Sequence, residues 1–308
     1  MHLCAHHHPK LRYVPLAANV RKRVAKRKRL TDPTFTLTIR RRFEADLVRR
    51  FKKLRADIWK SIVTYDGFGL RTNESAPPNS FAFPRSGDKV SSFMDWLYAQ
   101  QNSGILEVQR GATLSSAARN SWANVYIDSA YQRGLRQAGN ELRGAGASIS
   151  DRYLDTAFLQ PVHADAVGLI YTRTFSELEG VTRAMDQQIS RVLAQGLAEG
   201  RGMMDVARDI VDRVDAIGIT RARMIARTEI VAAHAEASLN MYEEAEVEGV
   251  AVVAEWATAG DNAVCPECED MEGKTFLLDE ARGMIPLHPN CRCAFIPSIE
   301  DARGVSLQ

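Results

Sequence analysis

The sequence predicts a mainly α protein: a helical body followed by a small C-terminal α+β subdomain stapled by a Cys/His zinc knuckle. Two observations predict the body and its appendage. Apolar residues recur at steps of three and four over most of the chain up to Gly249, the spacing of one helix face. After Gly249 that period gives way to short runs rich in Val and aromatics, and four of the five cysteines fall in the same region.

The first helical stripe follows Asp32-Pro33, which reads as an N-cap with proline at the first helical position. Ile39, Phe43, Leu47, Phe51, Leu54, Ile58 and Ile62 line one face, and Arg40, Arg41, Arg42, Arg49, Arg50, Lys52, Lys53 and Arg55 are assigned to the other. The stretch RTNESAPPNSFAFPRSGD, near residues 71–90, has three prolines and many polar residues and marks a loop. Helical spacing resumes at Val90, Phe93 and Leu97, and again over about residues 115–142, with glycines suited to ending the helix. Leu178, Val181, Met185, Ile189 and Val192 form the next stripe. Met203, Val206, Ile210, Val214 and Ile217 form another, which Gly218 is expected to close. Ile225, Thr228, Ala232, Ala235, Leu239 and Tyr242 mark one face of a long helix ending near Gly249. VAVVAEWAT then reads as a buried strand, with Phe276 to Leu278 and Ala294 to Ile296 as two more. The predicted organisation is a basic, partly disordered arm over 1–34, a helical region over 35–150, a domain over 151–300 whose knuckle occupies 250–297, and a tail over 301–308.

Charge is unevenly distributed. The first sixty residues hold 18 Lys plus Arg against 4 Asp plus Glu, a net of +14, while the remainder carries a net of −12. The arm is centred on Arg21, Lys22, Arg23, Lys26, Arg27, Lys28 and Arg29, cations suited to phosphate backbones without sequence readout; a solvated leader is the alternative. His6 to His8 read as a weak metal site or as polar tail. With 45% hydrophobic residues the chain has enough apolar material for a core. It shows neither a signal-peptide pattern nor an apolar run long enough for a bilayer, so synthesis and retention in a cytoplasm are expected.

In a reducing compartment, clustered cysteines point to metal ligands or reactive thiols rather than crosslinks. Cys265 and Cys268 form C-x-x-C, and His288, Cys291 and Cys293 form H-x-x-C-x-C about twenty residues later; Cys4 stands apart in the leader. Five donors compete for the four places of a tetrahedral zinc: Cys265, Cys268 and Cys291 are expected to bind, and His288 or Cys293 completes the set. Packed thiols with a capping histidine are the alternative. A fully ligated zinc is structural, because catalysis needs an open position. His234 and Glu236 before CPEC partly match the H-x-E…P-C-x-x-C pattern of zinc deaminases, but Val264 replaces the proline and the second Cys/His cluster is left over. Hydrolase or deaminase chemistry and a free DNA-binding protein are therefore the competing functional classes.

The runs TRARMIARTEIVAAHAEASLNMYEEAEVEGV, EWATAGDNAVCPECEDMEGKTF and PLHPNCRCAFIP resemble the head morphogenesis family of tailed bacteriophages, the minor head proteins of the Mu F and SPP1 type. SWANVYIDSAYQRGL and FLQPVHADAVGLIYTRTFSELEG are similar to the helical region that precedes that domain, so the resemblance spans about residues 115–297. It implies a non-enzymatic minor capsid protein, built into the prohead interior near the portal vertex and serving head assembly and genome packaging or delivery. The implied partners are the portal protein and the major capsid or scaffolding protein, with no membrane in the assembled particle; packaged DNA is expected as a partner of the basic arm, which lies outside the resemblance, on the charge asymmetry alone. Cys265, Cys268, His288, Cys291 and Cys293 match the family's Cys/His motif, and Arg227, Thr228 and Glu229 its helical motif. Arg227 and Glu229, two apart on a helix, point in different directions and are expected to serve separate ion pairs. Trp256 and Asp261 are expected to pack and turn the knuckle, and Arg292 to donate to thiolates or to a nearby carboxylate.

Overall fold

A computed structural model describes residues 32–68, 88–107, 119–247 and 251–300. The basic run 21–29, Cys4, His6 to His8, most of the expected loop at 71–90 and the tail at 301–308 lie outside the described residues. In chain order the described elements are α1 (Leu37–Trp59), α2 (Lys89–Gly104), α3 (Asn124–Gly144), α4 (Asp151–Thr156), α5 (Pro161–Ala198), α6 (Met203–Arg213), α7 (Thr220–Val247), β1 (Ala251–Ala257), α8 (Pro266–Met271), β2 (Thr275–Phe276), α9 (Leu278–Ala281) and β3 (Ala294–Glu300). The chain divides into two compact units that interleave along the sequence. Of the described residues, one unit takes those up to Ile39, Ile127–Val167 and those from Thr228 onward; the other takes those within Arg40–Tyr126 and Gly168–Arg227.

The second of these units is helical. Phe43, Leu47, Phe51, Leu54, Ile58 and Ile62 are all buried, so the predicted stripe of α1 forms its core, and Phe43 stacks on Tyr126 at 5.0 Å. Two expectations for this unit are corrected. Arg40, assigned to the solvent face, is buried; it precedes Ile58 by eighteen residues, five full turns, and so falls on the apolar stripe. Gly218 does not close a helix: a single π-helical turn, Val214–Ile219, carries α6 straight into α7. A Cβ on Gly218 would stand 2.4 Å from Cδ1 of Phe51, so the glycine is required for close packing rather than for a stop. The start of α1 also moves. Asp32 accepts from the Leu37 amide at 2.7 Å and from Thr34 Oγ1 at 2.8 Å, holding residues 33–36 in a turn, so the helix begins at Leu37 and not at Pro33.

In the other unit α7 is buried on nearly all sides between Glu229 and Tyr242, with Ala232, Ala233, Ala235 and Ala237 allowing close neighbours. The single stripe read from sequence is thus one part of a central helix. Helix α3 packs against it at backbone distance: a Cβ on Gly134 would lie 2.6 Å from the His234 carbonyl oxygen. The small sheet is antiparallel with order β2-β1-β3, and its register pairs Trp256 with Phe295 and Ala254 with both Phe276 and Pro297. Pro297 is tolerated because β3 is an edge strand. Leu278, expected to end the second strand, instead opens α9. Trp256 is wholly buried edge-on against Phe295, and Tyr242 Oη donates to the Phe295 carbonyl at 3.2 Å, fastening the sheet to α7.

Candidate metal centre

The two cysteine motifs converge at one end of the sheet. Cys265 is the N-cap of α8, its Sγ accepting from the Cys268 amide at 3.4 Å, and Pro266 occupies the first helical position, where no amide donor is needed. The C-P-x-C run is thus the start of a helix, which places both sulfurs at its first turn. Within the second motif Asn290 takes a left-handed backbone, φ 64°, and the turn there brings His288 and Cys291 back toward α8. Cys293 then leads directly into β3.

His288 Nε2 lies 3.1 Å from Cys265 Sγ and 3.2 Å from Cys268 Sγ, while its Nδ1 faces the Pro289 carbonyl oxygen at 2.9 Å. Cys268 Sγ is 3.9 Å from Cys291 Sγ. The donors form two sets, Cys265–Cys268–His288 and Cys268–Cys291–Cys293, each with its ligand atoms within 4.8 Å of one another; Cys268 is common to both. Cys268, Cys291 and Cys293 are buried. Between the donors is a void of about 20 Å³, enough for one ion or one water and too small for an organic substrate.

Three buried thiols this close cannot all ionise unaided. Hydrogen bonds from Cys268 and then Cys293 hold the Cys291 thiol well below its usual range, and the same contacts, with burial, push Cys268 far above it. A divalent cation is the charge that would let all of them be thiolates together, so the donor set fits a soft, tetrahedral metal such as zinc.

Arg292, between Cys291 and Cys293, makes a forked pair with Asp261 at 2.6 and 2.5 Å rather than donating to sulfur. Asp261 Oδ1 also accepts from the Ala263 amide at 3.0 Å, so one carboxylate turns the loop before Cys265 and ties it to the second motif. The Arg292 guanidinium, the Ala263 amide and the ion-pair attraction outweigh the small cost of burial and hold the Asp261 carboxyl down at about 2.

The Arg-Thr-Glu motif is split three ways. Arg227 is exposed and pairs with Glu44 at 3.3 Å, Glu229 is buried, and Thr228 Oγ1 accepts from the Asn290 amide at 3.3 Å, so α7 supports the loop that carries His288. His234 and Glu236, the deaminase candidates, are not among the gathered donors. His234 Nε2 is 3.0 Å from Gln137 Oε1, and Glu236 is held by Arg282. Sequence reasoning missed Arg282, which binds both Glu236 and Glu243 and so clamps α7 to the segment after α9. It also missed a buried polar chain in which His163 Nε2 faces Glu244 at 2.9 Å and Nδ1 faces the Tyr131 hydroxyl at 3.0 Å. These partners are too distant in sequence for any local pattern to announce them.

Fold and site together define a class: a helical protein whose small C-terminal α+β subdomain is built around a buried Cys/His cluster. Residues 187–296 match the family model described as Phage Mu protein F like protein, so over this segment the likeness to a phage head morphogenesis family is borne out. The matched segment includes all five candidate ligands and ends inside β3. No curated protein and no solved structure matches the chain. No helix among the described residues is long and apolar enough to cross a membrane.

Proposed function

We propose that the protein is a minor structural component of a tailed-phage head, lodged inside the prohead at the portal vertex, where it assists assembly and genome packaging or delivery without catalysing a reaction. The observation that carries this reading is the family match over residues 187–296, which takes in the whole Cys/His cluster and the helix that supports it. The portal protein is the proposed partner, with the major capsid or scaffolding protein as further contacts. The arm at Arg21–Arg29 is proposed to meet packaged DNA.

The cluster is proposed to hold one structural zinc through Cys265, Cys268 and Cys291, with His288 or Cys293 as the fourth ligand. Zinc there would neutralise crowded thiolates and fasten two loops to a sheet too small to hold together by burial alone. The void of about 20 Å³ supports a closed site, since no room is left for a substrate beside the ion.

The test is co-purification from an infected or co-expressing cell together with mass spectrometry of purified heads. The expected result is stable incorporation and recovery with the portal protein; absence from particles, with the protein recovered free, overturns the reading. Elemental analysis should give one zinc per chain, lost in Cys268→Ser and retained in Glu236→Ala.

A further inference from the structure

The exposed side of α1 shows more than the sequence count of cations did. With 100° per residue, Arg41, Arg42, Arg49, Lys52, Lys53 and Lys60 fall in one sector of about 120°, opposite the buried stripe. No Asp or Glu of α1 falls in that sector: Glu44 and Asp57 lie to either side, and Asp46 is buried. Arg41, Arg42, Lys52, Lys53 and Lys60 are exposed and form no ion pair with any described residue, whereas Arg49 pairs with Asp46. Five uncompensated cations therefore line a strip about 28 Å long at 1.5 Å per residue.

The strip is not merely a solvated ridge. Lys52 and Lys60 stand at the rim of a cleft of about 590 Å³ that also involves Arg55, with Ala56, Trp59 and Val211 as its apolar lining. Between Thr38 and Lys60 no large hydrophobic side chain is strongly exposed, and the cleft lined by Ala56, Trp59 and Val211 supplies apolar surface beside the cations. A row of mixed Lys and Arg with no acidic residue between them fits a regularly charged polyanion, and phosphate contacts of this kind position a nucleic acid without reading its sequence.

We propose that the face formed by Arg41, Arg42, Lys52 and Lys53 of α1 and by Lys60 at the start of the turn that follows it is a sequence-independent nucleic-acid-binding surface, engaging the phosphate backbone separately from the basic run at 21–29. This goes beyond the head-protein reading and does not depend on the metal. A head protein without this surface, or this surface on a protein of another role, would each be recognisable.

The test uses the full chain and a mixed-sequence DNA of about thirty base pairs, with affinity measured by fluorescence anisotropy over a salt series. One variant carries Arg41→Gln, Arg42→Gln, Lys52→Gln, Lys53→Gln and Lys60→Gln; a second carries glutamine at the seven basic positions from Arg21 to Arg29. These side chains are exposed, and circular dichroism checks that the helices are kept. The α1 variant is expected to bind at least ten-fold more weakly near 0.1 M salt, with the slope of log K against log salt reduced by roughly 3 to 4. The 21–29 variant should keep that part of the slope. Unchanged affinity and slope in the α1 variant overturn the proposal, as does equal binding of an acidic polypeptide such as polyglutamate.

Discussion

Asp261 and Arg292 illustrate how much one side-chain pair does in this protein. The carboxylate makes both a local turn and a long-range fork, and the two roles can be separated. Asp261→Asn keeps an acceptor for the Ala263 amide but loses the ion pair, and Asp261→Ala loses both. Thermal unfolding is expected to rank the wild type above Asn and Asn above Ala; equal midpoints would mean the fork contributes nothing. Glu244 gives a pH prediction. Burial alone would raise its carboxyl, but hydrogen bonds from His163 and Tyr153, with the attraction of His163, outweigh it and hold it below the ordinary value. A folded-state pKa below the unfolded one means stability fully present above the unfolded value and lost as pH falls through the folded one. Denaturant titrations should therefore show wild-type stability declining on the acid side of about pH 4.3. Glu244→Gln should be less stable at neutral pH and flatter across that limb.

At the scale of elements, contacts between helices set the strictest demands. Gly134 on α3 meets the backbone of α7 at His234, and backbone cannot swing aside as a side-chain tip would. Gly134→Ala improves helix propensity, yet overpacking is expected to win and cost about 1–3 kcal/mol or more in equilibrium unfolding. A stabilised variant would show that α3 can shift. Helix α7 explains why its one-stripe reading was incomplete. Its alanines lie on every side, and alanine is equally at home on a buried or an exposed face, so no period separates the two. The three strands were legible because Val, Trp and Phe clustered in short runs. The start of α8 was less so, since C-P-x-C is compatible with a turn until the amide of Cys268 is seen to meet Cys265 Sγ.

For the whole molecule, the proposed zinc makes the C-terminal subdomain conditional on metal. Chelation, or Cys268→Ser, should remove hydrogen-exchange protection from β1, β2 and β3 while the long helices keep theirs; protection unchanged after verified metal loss would make the cluster a set of packed thiols. The sequence by itself determined the mainly helical class, the stripe of α1, the small sheet and the five candidate ligands, because periodicity, strand-forming runs and cysteine spacing are local in the chain. Only the tertiary structure decided that Arg40 turns inward, that Gly218 packs on Phe51 instead of ending a helix, and that Arg292 reaches Asp261. It alone also divided the donors into two sets around Cys268 and left Arg41, Arg42, Lys52, Lys53 and Lys60 without an ion pair among the described residues. Those outcomes depend on which residues meet across tens or hundreds of positions, and the free energy of a packed contact or an ion pair is settled only where both partners are in place.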